Sequence, residues 1–116
     1  MRSDRALLRA AHEAALRVFA NRKQHFKHYA LGLRADGAFV HAVNSPAEEP
    51  NWTAHAEARL CKRITPKSLV VVVRIRADGS LTQSRPCSNC RRLMRRKGVQ
   101  RVIYSIDVGE YGIMVL

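Results

Sequence analysis

The sequence predicts an α/β protein of three layers, α-β-α, with one mixed five-stranded sheet whose last strand is antiparallel. Three observations carry this expectation. Apolar spacing alternates between helical and strand periods in the order helix, strand, strand, helix, strand, helix, strand, strand. The run "SLVVVVRIR" at 68–76 holds four consecutive valines, as in a central strand covered on both faces. The chain between Ser105 and Ile113 is too short for a parallel crossover, which takes about a dozen residues or more.

Each element has a local cause. Over 3–21, Leu7, Leu8, Ala11, Ala15, Val18 and Phe19 recur at helical spacing, with Ser3 or Asp4 able to cap. "HFKHYALGLRADGAFVHAVN" at 25–44 reads as two short strands around Asp36-Gly37, where glycine's tolerance of positive φ suits a tight turn. Residues 45–54, with Pro46 and Pro50, form a loop, and Thr53 then caps a helix beginning near His55. After the valine strand a second "RADG" turn follows, then a helix from about Pro86 to Lys97 stopped by Gly98. "VQRVIYSI" and "YGIMVL" supply the last two strands. The flanks of the two "RADG" copies differ, so they do not mark a repeat.

Length and composition bound the function. At 116 residues, 47% hydrophobic and 26% charged, the chain reads as one globular domain over 1–116. Its longest strongly apolar run, Leu69 to Val73, falls far short of the ~20 residues that span a bilayer. Charges run all through "MRSDRALLRAAHEAAL", so a secretion signal is not expected and the cytoplasm is the expected location. With 21 Lys and Arg against 9 Asp and Glu, the net charge of +12 makes a polyanion or a phosphorylated ligand a candidate partner. Three cysteines, two of them in one Cys-x-x-Cys, do not build a disulfide framework and point to metal or redox use.

The chemistry concentrates in two short stretches. In "RPCSNCRRLMRRKG" at 85–98, Cys87 and Cys90 are three apart on one helical turn, where both sulfurs can share a metal. Pro86 suits the start of that turn, and thiolates gain from the exposed amides there. By itself the pair fits a redox motif, a zinc ribbon or part of a catalytic site. The candidate third ligand is His55 of "HAE". His55 and Glu57 are two apart and face different sides of a helix, yet they can converge if the metal sits off the helix end. Three protein ligands with one open position define a catalytic zinc rather than a structural one.

Together, "HAE" at 55–57 and "PCSNC" at 86–90 resemble the paired motifs of the zinc-dependent cytidine and deoxycytidylate deaminase superfamily, and the order of elements is similar over nearly the whole chain. The resemblance implies one Zn2+ per chain held by His55, Cys87 and Cys90, with Glu57 as the catalytic proton carrier. It also implies that Asn44, in "HAVNSP", contacts the substrate's sugar or base, and that the Ala56 amide donates to the base carbonyl. Trp52, just before "HAE", is the best stacking platform for the pocket rim. The implied reaction converts cytosine to uracil in a nucleoside or nucleotide; a cytosine deaminase on single-stranded DNA or RNA is the alternative. A noncatalytic zinc-stabilised module that binds nucleic acid is the alternative of another class.

The short final connection looks like the free cytidine deaminase branch, whose members commonly form homo-oligomers. However, Pro46 stands where that branch commonly carries a ribose-holding glutamate. Arg91/Arg95 and Arg92/Arg96 are like-charged pairs at i, i+4, which disfavour the helix unless an anion offsets them. His12, His25, His28 and His41 lack a ligand partner at useful spacing, and Cys61 reads as a small buried apolar residue.

Overall fold

A computed structural model describes residues 3–24, 27–44 and 55–116. The elements are α1 (Asp4–Phe19), β1 (Lys27–Leu33), β2 (Phe39–Val43), α2 (Ala56–Leu60), β3 (Leu69–Ile75), β4 (Leu81–Thr82), α3 (Ser88–Arg96), β5 (Arg101–Asp107) and β6 (Glu110–Val115). Ser3 caps α1 by accepting a hydrogen bond from the Ala6 amide. Thr53 lies outside the described residues; His55 occupies the N-cap of α2 and makes no side-chain capping bond.

The valines of β3 explain the layers. Val71 and Val73 point to one face of the sheet, where they pack with Leu7, Leu8, Ala11, Ala15 and Phe19 of α1. Val70 and Val72 point to the other, against Ala56, Leu60, Cys90 and Met94 of α2 and α3. Alternate valines therefore feed two separate cores, which is why the run shows no polar face. The expected α-β-α arrangement follows.

Strand order is β2-β1-β3-β5-β6, and β3–β5 is the parallel pair among antiparallel neighbours. β6 returns antiparallel along β5, with Ile103 opposite Ile113, as the short connection required. Beyond the five expected strands there is a sixth, β4. Its two residues pair antiparallel with the end of β3, Arg74 opposite Thr82 and Ile75 opposite Leu81. β5 pairs with the first part of β3, Leu69 to Val72. A two-residue strand leaves no periodicity to read in a sequence.

Where β3 hands over from β5 to β4, the next stretch of chain is held by buried hydroxyls. The Ser84 amide donates to the Ser105 carbonyl at 2.9 Å. The Ser84 hydroxyl donates to the Val72 carbonyl at 2.8 Å and accepts from the Ser105 amide at 2.8 Å. The Ser105 hydroxyl lies 2.8 Å from that of Ser84 and donates to the Thr82 carbonyl at 2.7 Å. This small network spans the C-terminal halves of β3 and β5 and fixes the chain three residues before Cys87.

The far end of α3 is closed as firmly. The Val99 amide bonds the Met94 carbonyl and the Gly98 amide bonds that of Arg95, a Schellman arrangement with Gly98 at φ 85°. A Cβ on Gly98 would stand 2.8 Å from the Pro66 Cα, so backbone conformation and space both require glycine.

Two substitutions test these supports by urea unfolding. Ser84→Ala leaves the buried Ser105 amide without its acceptor and should cost about 1–3 kcal/mol. Gly98→Ala should cost about 1–2 kcal/mol for the left-handed backbone, with the overlap at Pro66 added to it. Wild-type midpoints for either variant would contradict the assignment of that support.

Candidate metal centre

The starts of α2 and α3 meet. Cys87 is the N-cap of α3, in extended conformation, and its sulfur accepts the Cys90 amide at 3.5 Å. Extended backbone at an N-cap turns the side chain back over the helix end, so Cys87 and Cys90 present their sulfurs together. His55, also an extended N-cap, places Nδ1 at 3.7 Å from the Cys87 sulfur and 3.5 Å from the Cys90 sulfur. All three ligand atoms lie within 4.8 Å of one another. A tetrahedral zinc with Zn–S of about 2.3 Å and Zn–N of about 2.0 Å requires neighbouring ligand atoms roughly 3.5–3.8 Å apart. The group fits.

Its electrostatics point the same way. Burial first, then the nearby Glu57 carboxylate and the Cys87 side chain, push the Cys90 thiol far above its ordinary range, while the Ala58 amide donates to its sulfur and opposes this. Thiolates gathered beside a carboxylate repel one another until a divalent cation balances them.

Glu57, the second residue of α2, is 3% exposed and near enough to Cys90 for its charge to act on that thiol. Burial pushes its pKa up to about 7, against a smaller opposing pull from its own backbone amide. Its Oε1 makes no hydrogen bond among the described residues. An unsatisfied buried carboxylate oxygen costs about 1–3 kcal/mol or more, which structure alone does not repay. Such groups mark sites where a ligand or a reacting molecule completes the bonding.

Of the other residues singled out from sequence, Ala56 is the first residue of α2, fully buried and next to His55. Asn44 follows β2, and its Oδ1 accepts from the His28 amide at 3.0 Å and from Gln24 Nε2 at 3.2 Å. These bonds fix which way its side-chain amide is oriented. Trp52 and Pro46 lie outside the described residues.

Two residues of the sheet bear on the group electrostatically. His28 stands opposite Arg74 across β1 and β3. Burial, then the charges of Arg74 and His55, lower the His28 pKa to about 4, so its imidazole is neutral near pH 7. The available signal was alternation. His28 and Arg74 are each two residues from Ala30 and Val72, which face α2 and α3.

Fold and site together define a class: an α-β-α sheet protein with a three-residue zinc-type group and a buried carboxylate at the starts of two helices. Residues 1–106 match the profile of the cytidine and deoxycytidylate deaminase zinc-binding region, and the chain belongs to that family. It is a zinc-binding deaminase family of proteins. Solved structures agree on the fold. Cytidine deaminase from Burkholderia pseudomallei superposes with a TM-score of 0.65 at 22% identity, covering 98% of this chain and 93% of that one. The Mycobacterium leprae enzyme gives 0.57 at 19%, covering 90% and 91%. That of Mycobacterium tuberculosis gives 0.56 at 20%, covering 93% of each. No curated protein sequence matches at a significant level.

The purified chain should carry one zinc per molecule by atomic absorption, and Cys90→Ala should lose most of it. Stoichiometric zinc retained by that variant would remove Cys90 from the ligand set.

Proposed function

We propose that the protein hydrolyses the amino group from cytosine in a cytidine or deoxycytidine nucleoside or nucleotide, leaving uracil and ammonia, with zinc held by His55, Cys87 and Cys90. The observation that carries this reading is Glu57, a buried carboxyl group whose Oε1 has no hydrogen-bond partner among the described residues and whose charge bears on Cys90 of the ligand group. Family membership and the cytidine deaminase folds support it.

His55, Cys87 and Cys90 would hold the zinc, which when bound would supply a water acidic enough to act as nucleophile at neutral pH. Glu57 would accept one proton of the water that adds to the amine-bearing carbon and pass it to the neighbouring ring nitrogen. The second proton of the same water would go to the amine, so that the C–N bond breaks with ammonia as the leaving group. A carbonyl remains where the amine was. Glu57 is buried and close enough to Cys90 for their charges to interact, which lets one carboxyl group serve both halves of this exchange. In this reading the Ala56 amide donates to the base carbonyl and the Asn44 side chain holds the sugar or base. Trp52 is assigned to the rim of the same pocket.

The test is ammonia release from cytidine, deoxycytidine, their monophosphates and cytosine-containing oligonucleotides. Release from at least one free nucleoside or nucleotide is expected; release from oligonucleotides alone would replace the substrate assignment, and none from any would sink the reading. Glu57→Gln should keep its zinc while kcat falls about a hundred- to ten-thousand-fold. Wild-type turnover in that variant would remove Glu57 from the mechanism.

A further inference from the structure

A second feature of α3 has no part in this chemistry. Between α3 and β6 runs a groove of about 370 Å³. Ser88, Arg91, Arg92 and Arg95 form one wall, and residues 114–116 of the chain form the other. The wall residues recur at i, i+3, i+4 and i+7, so they occupy one helix face, about a third of a turn round from the Cys87–Cys90 pair. Cys90 and Met94 turn into the core instead.

We propose that this groove binds the phosphate backbone of a single-stranded nucleic acid. Four observations on the molecule support it. The helix contains no acidic residue, and the ion pairs among the described residues use Arg34, Arg76 and Arg101 rather than any arginine of the groove. Arg91 donates to the Ser88 hydroxyl and Arg92 to the Asn89 side chain, neutral partners that leave most of each guanidinium's five donors for a ligand. From Ser88 to Arg95 the wall extends about 10 Å along the helix, too long for one phosphate and suited to successive ones. Opposite the arginines, Met114 and Leu116 offer apolar surface for sugars and bases.

Other occupants fit less well. A second copy of this chain, at +12, would bring like charge to the groove. A membrane is flat, whereas these guanidiniums line a recess. A single strand supplies repeated phosphates and apolar faces in one narrow ligand.

Fluorescence anisotropy with a labelled oligothymidylate tests the proposal. The probe lacks cytosine, so its binding is independent of deamination, and either reading can fail without the other. Three arginines neutralising three phosphates should give a slope of log K against log salt of about −2 or steeper. Arg92→Ala combined with Arg95→Ala should weaken binding about tenfold or more and make the slope shallower by about 1.4. Zinc content reports that the variant's metal group is intact. Lys23→Ala combined with Lys62→Ala removes the same charge from exposed sites elsewhere and should weaken binding much less. The proposal fails if the oligonucleotide does not bind or if the two double variants lose affinity equally. Tighter binding to phosphatidylserine vesicles than to the oligonucleotide would also overturn it.

Discussion

The metal group depends on a bond made outside it, the hydroxyl of Ser84 between β3 and β5. Ser84 is tied to Val72 and Ser105 through both its backbone and its side chain, and all of these atoms are buried or nearly so. In such surroundings a polar group is either fully bonded or strongly destabilising, so the network has little freedom to rearrange. Three residues later the chain must deliver Cys87 as an N-cap. Pro86, buried and without an amide hydrogen, stiffens the short span between them. The sulfur position is therefore inherited from the sheet, not from the loop.

His55 reaches the same point from the other side by different means. α2 is a single short helix, too short to be stable alone. It is held by burial of Ala56, Ala58 and Leu60 and by Arg59 and Arg63, which donate to the carbonyls of Val43 and His41. The Ala58 amide on the Cys90 sulfur then links the two helix starts directly. Glu57 is buried as a consequence of this packing. Its raised pKa is thus a property of how α2 seats against α3, and the catalytic reading and the fold stand on the same contacts.

What could be read in the sequence follows from how local each signal is. The valine run, the Asp36-Gly37 turn and Gly98 act through their own neighbours, and each appears where expected. His55, Glu57, Cys87 and Cys90 were legible because few chemistries use those residue types at those spacings. β4 was not, since its two residues are a strand only because β3 outlasts β5. His28 has no ligand partner at sequence spacing; the charges that bear on it, Arg74 and His55, come from cross-strand register and from the start of α2. The groove likewise needs the C-terminal strand laid beside α3, which helical periodicity cannot show.

The arginines of α3 are not all alike in physical terms. Arg95 and Arg96 fall in the last turn, where cations are favoured by the exposed carbonyls and the negative end of the helix dipole. That position suits the helix itself, and Arg95 lines the groove at no cost to it. Arg91 falls in the first turn and Arg92 just after it, where the dipole disfavours positive charge and where each also faces a like charge four residues on. The helix tolerates this because its core face, its Cys87 cap and its Gly98 terminus supply the stabilisation that its surface does not. Charge retained against the local field calls for an anion outside the helix, and the groove is the place where Arg91 and Arg92 can meet one.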